Sequence, residues 1–336
     1  MTGMQEEGGD LALVVGASGF LGRHVTRALA QRGRRVRILV RASSQLADLG
    51  ELDLDVRHGD VLDPESLRQA MAGCAEVYYC VVDTRAWLAD SSPLYRVNVL
   101  GVDHAMDAAQ HAGVRRFIFT SSIATIGLNP TGIASEEDAF NWGDTAPDYV
   151  RFRAEAEANL LNRCREQGFP GVVCCVGNTY GPRDVQPTPH GRLLLLAALG
   201  KMPFALDCSS PCVDIRDAAA ALLLAASKGR VGERYIIAAE HVCQVDMLRW
   251  AAEAGGVRAP MRMPLPVAYA LAWVNERIAR LFGRSPQLCV ASVRLSHIFN
   301  RMENRKAREE LGWTCRPVRE AVEDAVAWYL EHLPRE

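Results

Sequence analysis

The residues Gly16-Ala17-Ser18-Gly19-Phe20-Leu21-Gly22 follow the all-aliphatic run Leu11–Val15 with the spacing G-x-x-G-x-x-G. Glycines so spaced permit a tight turn, let backbone approach a pyrophosphate and let a helix pack close to a strand, with its N-terminus toward the phosphates. Strand, turn and helix within one β-α-β unit are the context such a motif requires. The chemistry expected here is dinucleotide binding by Gly16, Ser18, Gly19, Phe20, Leu21 and Gly22. The second strand ends Val40-Arg41-Ala42-Ser43-Ser44, where an NAD-binding chain usually has an acidic residue for the ribose 2′-hydroxyl. A guanidinium followed by two hydroxyls suits a 2′-phosphate, because Arg41 can bond it bidentately where a carboxylate would repel it. NADP is the expected cofactor, with NAD the alternative.

The elements that must position this motif alternate along the chain. Strands are expected at Leu11–Val15, Val36–Val40, Asp55–His58, Val77–Val82, Val114–Thr120 and Val172–Val176. Helices are expected at Arg23–Arg32, Pro64–Met71, Tyr95–Ala112 and Asp148–Gln167. Strands separated by helices predict an α/β fold with a Rossmann-type, doubly wound parallel sheet and right-handed crossovers. The dinucleotide-binding domain is placed at 10–180, completed by about 213–240 through a helix at Asp214–Ser227 and a strand at Arg234–Ala238. After Gly181 prolines interrupt the pattern, and a smaller, mostly helical substrate region is expected over 181–212 and 241–336. Its helices are Val245–Gly255, Leu265–Phe282 and Val318–His332. Leu265–Phe282 starts apolar nearly all round, so burial is expected, the alternative being contact with a lipid-like ligand or surface.

Composition narrows the function classes. Over 336 residues, 38 Lys+Arg against 40 Asp+Glu leave a net charge of −2, with no basic block to neutralise a row of phosphates, so nucleic acid is not expected as a partner. The ten cysteines lack zinc-site spacing and read as buried small hydrophobes, and no metal is expected. The N-terminus MTGMQEEGGD is unlike a signal peptide, and no apolar run reaches the ~20 residues that a bilayer requires. A cytoplasmic protein without a membrane span follows as the expectation.

Further motifs carry a resemblance. They are Gly59-Asp60-Val61-Leu62-Asp63, Asn98 in YRVNVLG, Phe117-Ile118-Phe119-Thr120-Ser121-Ser122, Asn178-Thr179-Tyr180-Gly181-Pro182 and Lys306-Ala307-Arg308-Glu309-Glu310-Leu311-Gly312-Trp313. With the glycine motif they make the chain resemble the extended short-chain dehydrogenase/reductase family along nearly its whole length. Within it the stretch around GPRD (181–184) and GRVGERY (229–235) looks most like hopanoid-associated sugar epimerases, then dihydroflavonol reductases and 3β-hydroxysteroid dehydrogenases. The resemblance implies that Asp60 and Val61 lie at the adenine, that Asn98 is structural and that Ser122 is the catalytic serine. It also implies cofactor contacts from Val81 and Asn178 and a homodimer paired through Tyr95–Ala112 and Asp148–Gln167.

The family's active site is a Tyr-x-x-x-Lys pair on one helix face, and here the candidate is Tyr149-Val150-Arg151-Phe152-Arg153. Arg153 stands where lysine is expected. The i, i+4 spacing still sets phenol beside cation. The family's lysine lowers the tyrosine pKa by its charge and bonds the nicotinamide ribose; Arg153 retains the charge. Cys80-Val81-Val82-Asp83 adds bulk where relatives have small residues, and Cys175-Val176 replaces the usual Arg-Pro. The leading expectation is an NADP(H)-dependent reductase of a ketone or aldehyde, or the reverse dehydrogenase, with Ser122, Tyr149 and Arg153 catalytic. A nucleotide-sugar epimerase with tightly held NAD, using Arg183 and Lys201 for the diphosphate, and a non-catalytic NADP-binding regulator are the alternatives. Trp87, Phe140, Trp142, Phe204 and the Leu265–Phe282 helix would line an apolar site for a small-molecule substrate if they converge.

Overall fold

The computed structural model describes residues 11–85, 88, 90–281 and 289–333; Trp87, Phe282 and the chain's first ten residues lie outside them. Seven parallel strands form the central sheet: β1 (Leu11–Val15), β2 (Arg35–Val40), β3 (Leu54–His58), β4 (Glu76–Tyr79), β5 (Arg116–Ser122), β6 (Gly171–Val176) and β7 (Arg234–Ile237). Their spatial order is 7-6-5-4-1-2-3, so the winding direction reverses between β1 and β4. This is the Rossmann-type architecture expected from the alternation.

The aliphatic runs build the sheet because both faces are covered. Leu13, Val15, Tyr79, Phe117, Phe119, Val173 and Cys175 face one core. Alternate residues Ala12, Val14, Tyr78, Ile118, Val172 and Cys174 face the other. Side-chain alternation thus sends the adjacent Cys174 and Cys175 to opposite cores, each fully buried as a small hydrophobe.

In chain order the helices are α1 (Phe20–Gln31), α2 (Pro64–Met71), α3 (Ser92–Tyr95), α4 (Gly101–Ala112), α5 (Asp148–Gln167), α6 (Pro189–Ala198), α7 (Ile215–Lys228), α8 (Gln244–Ala254), α9 (Leu265–Leu281), α10 (Val290–Leu295), α11 (Arg305–Leu311) and α12 (Val318–His332). Helices α2, α4 and α5 pack on the first face, and α1, α7 and α11 on the second. A third core lies between α6, α8 and α12.

Three departures from the sequence reading have physical causes. The fourth strand ends at Tyr79, before Val82: after Cys80 N–H bonds the Val15 carbonyl (2.9 Å), the chain leaves the sheet. The single helix expected over Tyr95–Ala112 is divided by a π-helical turn, Arg96–Leu100, which contains Asn98. The C-terminal region also has strands too short to show a pattern. Ser209–Asp214 pairs with Asn178–Tyr180 and Glu240–Cys243, and Phe204–Leu206 pairs with Met261–Met263.

The expectation that the Leu265–Phe282 helix is buried is corrected. Among its described side chains helix α9 buries the small Ala268, Ala272 and Ala279, while Val267, Leu271, Trp273, Val274 and Ile278 are each 45–53% exposed. Alanines let α10 approach closely through Val290 and Val293, which leaves the larger side chains outside. Among the described residues no helix is long and apolar enough to cross a membrane.

Candidate active site

Gly16, Arg41, Val81 and Asn178 follow the ends of β1, β2, β4 and β6, and Ser122 is the last residue of β5. They therefore gather at the carboxyl edge of the sheet, around the β1/β4 reversal where open α/β sheets bind ligands. Gly16 has φ +87°, and a Cβ there would stand 2.7 Å from Val81 Cγ2. A Cβ at Gly22 would collide with the Gly16 carbonyl, so helix α1 could not start so close to the strand. Gly19 caps α1 without a side-chain bond, and no acidic residue sits in its first turn. The N–H groups there have no competing carboxylate, an arrangement that fits a pyrophosphate.

The second-strand loop is tied to this turn. Ser44 Oγ donates to Ser18 Oγ at 3.2 Å. Arg23 is buried and donates to the carbonyls of Ser18 (2.8 Å) and Gln45 (2.7 Å) while pairing with Asp48. Sequence reasoning missed Arg23, although its place directly after Gly22 on α1 was a usable signal. Arg41 is exposed beyond β2. Asp60 is exposed and accepts from Leu62 N–H at 2.9 Å, while Val61 is buried.

Asn98 holds the loop after β4 by two bonds: its Oδ1 accepts from Asp83 N–H (3.0 Å) and its Nδ2 donates to the Asp83 carbonyl (2.8 Å). Burial raises the Asp83 carboxyl, but hydrogen bonds from Arg85 and the charge of Arg41 outweigh it and hold the group below its ordinary range. Asn178 lies in the small sheet, its Nδ2 donating to Ser210 Oγ at 3.1 Å.

Ser122 ends β5 and caps the short turn Ile123–Thr125, its Oγ accepting from Ala124 N–H at 3.1 Å. Tyr149 and Arg153 occupy one face of α5. Arg153 is 1% exposed, with its guanidinium 4.8 Å from the centre of the Phe119 ring and Nη2 donating to the Thr120 carbonyl. Its Nε and Nη1 have no hydrogen-bond partner among the described residues. Burial pushes this guanidinium below its ordinary value, and the nearby phenols of Tyr149 and Tyr79 and the Glu157 carboxylate oppose that.

Glu157 continues the stripe one turn beyond Arg153 and was not foreseen. Its carboxylate pairs with Arg234 at 2.7 Å and accepts from Ser121 Oγ and, at 2.7 Å, from Thr125 Oγ1. Arg234 Nη2 in turn donates to the Thr125 carbonyl at 3.0 Å. The signal was the repeated spacing of four, Tyr149, Arg153 and Glu157, which lines one helical face.

Phe140 and Trp142 converge with Tyr149, Leu295, Ile298 and Phe299. Phe204 does not join them and is 43% exposed, and Trp87 lies outside the described residues. Arg183, in the left-handed region at φ 67°, and Lys201 are both exposed.

Comparison with known proteins extends these observations. The profile of the NAD dependent epimerase/dehydratase family matches residues 12–238. A Synechocystis sp. protein named after dihydroflavonol 4-reductase is 33% identical over 329 residues, 96% of this chain and 95% of its own length. Sterol demethylase protein B of Methylococcus capsulatus is 33% identical over 322 residues, 95% of this chain and 98% of its own. Among solved structures, a nucleoside-diphosphate-sugar epimerase from Pseudomonas aeruginosa is similar with a TM-score of 0.81, at 25% identity, covering 96% of this chain and 98% of that one.

Proposed function

The chain belongs to the NAD dependent epimerase/dehydratase family, and we propose that it is an NADP(H)-dependent oxidoreductase that reduces a ketone or aldehyde of a small, apolar or lipid-like substrate, or oxidises the corresponding alcohol. The carrying observation is the buried Arg153 cation, set between the Tyr149 phenol and the end of the strand that presents Ser122. When bound, the nicotinamide supplies the hydride that reduces the carbonyl carbon.

Tyr149 O–H donates its proton to the carbonyl oxygen as negative charge develops there, and Ser122 Oγ–H bonds the same oxygen. The Arg153 charge stabilises the phenolate that Tyr149 becomes. Exposed Arg41 with Ser43 and Ser44 supports the choice of NADP, through a bidentate bond to the 2′-phosphate. Gly16, Ser18, Gly19, Phe20, Leu21 and Gly22 hold the pyrophosphate, and Asp60, Val61, Val81 and Asn178 complete the cofactor contacts.

Phe140 and Trp142 beside Tyr149 support an apolar substrate. So does the sterol in the name of the Methylococcus capsulatus relative. The enzyme is further proposed to pair as a homodimer through α4 and α5, for which light scattering should give twice 36.8 kDa.

Consumption of NADPH with a panel of apolar ketones and aldehydes tests the activity. Tyr149→Phe should lower kcat/KM by about 10²–10⁴ with melting unchanged, the range for one positioned general acid. A loss below about threefold would remove Tyr149 from the reaction. Sugar-nucleotide interconversion with a cofactor that survives dialysis would replace the reductase by an epimerase. Cofactor binding without any turnover would favour a regulator.

A further inference from the structure

We infer that α9 is a membrane-docking helix, lying in the interface of an anionic lipid bilayer. At 100° per residue, Pro266, Val267, Ala270, Leu271, Trp273, Val274, Arg277 and Ile278 fall on one arc, and all are exposed. A globular helix ordinarily turns charge to water on its outer arc; among the described side chains this one shows a single charged one, Arg277. The largest of these residues are about half exposed: Val267 48%, Leu271 47%, Trp273 53%, Val274 45% and Ile278 51%. Contiguous apolar surface of this kind marks an interaction site.

Charge selects the occupant. Residues 258–280 contain Arg258, Arg262, Arg277 and Arg280 against Glu276, and Asp207 pairs with Arg262 at 3.3 Å, so the local net is 4 − 2 = +2 in a chain of net −2. The Glu276 carboxylate accepts from Val290 N–H at 2.9 Å, on the side of α10. Arg277 lies over the Trp273 ring at 5.1 Å, an indole and a cation together at the margin of the apolar arc. An apolar arc with an indole and an arginine at its edge suits acyl chains below and anionic head groups above. A second copy of this chain would instead bring a segment of the same positive sign to this face. At ~1.5 Å per residue the 17-residue helix is about 25 Å long, suited to lying in the plane of the interface.

The placement extends the functional reading without depending on it. Helix α9 packs through Ala268 and Ala272 on Val293 of α10, and Leu295 at the end of α10 belongs to the cluster of Phe140, Trp142 and Tyr149. The docked face is therefore one helix away from the proposed substrate lining, and an apolar substrate dissolved in the bilayer would have a short route to it.

The test is flotation of the full-length protein with vesicles of phosphatidylcholine alone or of phosphatidylcholine with phosphatidylglycerol. Binding to the anionic vesicles that weakens as salt rises is expected. Arg277→Gln should lower the partition about fivefold, the equivalent of ~1 kcal/mol per arginine at an anionic surface. Leu271→Glu with Val274→Glu should abolish binding while NADP affinity and circular dichroism are retained. Should that double variant misfold, quenching by brominated lipid that is present in the parent and lost in Trp273→Phe makes the same point. No flotation with either vesicle overturns the proposal, as does equal, salt-independent binding to both. Dimers that dissociate in the double variant, without vesicle binding by the parent, would assign the face to a second copy of this chain and overturn it too.

Discussion

Arg153 Nη2 donates to the carbonyl oxygen of Thr120, two residues before Ser122, so the cation of α5 is fastened to the strand that carries the serine. Burying that charge with two guanidinium nitrogens unpartnered costs stability, since desolvation is only partly repaid by one carbonyl and a ring face. Arg153→Met should therefore leave the melting temperature unchanged or raise it while kcat/KM falls strongly. Arg153→Lys retains a positive charge, and its rate should hold or rise. Loss of stability and activity in parallel for Arg153→Met would assign the residue to structure alone. Calorimetry beside steady-state kinetics separates the two.

Arg41 gives a sharper expectation for cofactor choice. NADP(H) should bind at least tenfold more tightly than NAD(H), about 1.4 kcal/mol, which one charge-assisted phosphate contact can supply. Arg41→Ala should erase that difference by weakening NADP alone. The Ser44–Ser18 bond and the Arg23 tether hold the loop independently of Arg41, so the variant should retain the pyrophosphate site. Fluorescence titration with both cofactors is the measurement, and equal affinities in the parent would remove the argument.

What the chain states locally was legible in the sequence. The glycine turn, the aliphatic strands and the helix Asp148–Gln167 each follow from contiguous residues, because a strand buried on both faces needs no pattern beyond its own side chains. What depends on distant partners was not. The spacing of Tyr149 and Arg153 set them on one face, yet the direction of the guanidinium is decided by Thr120 and Phe119. Glu157 finds Arg234 seventy-seven positions later, and nothing local marks the pair. Helix α9 was misjudged because an almost wholly apolar segment carries no periodicity to say which side, if any, is covered.

His24 predicts an acid sensitivity. The ring is 7% exposed and its Nε2 lies 3.0 Å from the Pro182 carbonyl oxygen, to which Nε2–H donates. Burial chiefly, with repulsion from Arg183 and Arg216, pushes its pKa down to about 4 against the opposing Pro182 bond and Asp214. The unfolded chain, with a value near 6.5, then binds the proton more readily than the native one between these limits. The stability contributed by a neutral His24 is whole above pH 6.5 and is lost progressively as pH falls toward 4, by up to about 3 kcal/mol at ~1.4 kcal/mol per pH unit. His24→Gln retains a donor and does not titrate. Denaturant unfolding of both proteins across this range should show the parent losing stability relative to the variant, and a pH-independent difference would contradict the assignment.

Glu157 and Arg234 form a buried ion pair whose side chains are 5% and 14% exposed. Removing either partner leaves the other charge uncompensated, so Glu157→Leu and Arg234→Met should each cost on the order of 3–5 kcal/mol. In the double variant neither member of the pair is left facing the other's absence, and the cost should fall below the sum of the two, the signature of direct coupling. Activity should not recover with stability. Glu157 also accepts from the hydroxyls of Ser121 and Thr125, and Thr125 Oγ1 lies 2.8 Å from the Ser122 carbonyl, so these bonds fix the backbone that presents the proposed catalytic hydroxyl. The double variant should thus fold and bind NADP yet remain slow, with kcat lowered more than KM is raised, because orientation at Ser122 is lost while the proposed cofactor contacts at Gly16–Gly22 and Arg41 are not touched. Denaturation midpoints with kcat and KM for all four proteins measure this, and recovery of kcat in the double variant would show that the pair supports the fold without positioning Ser122.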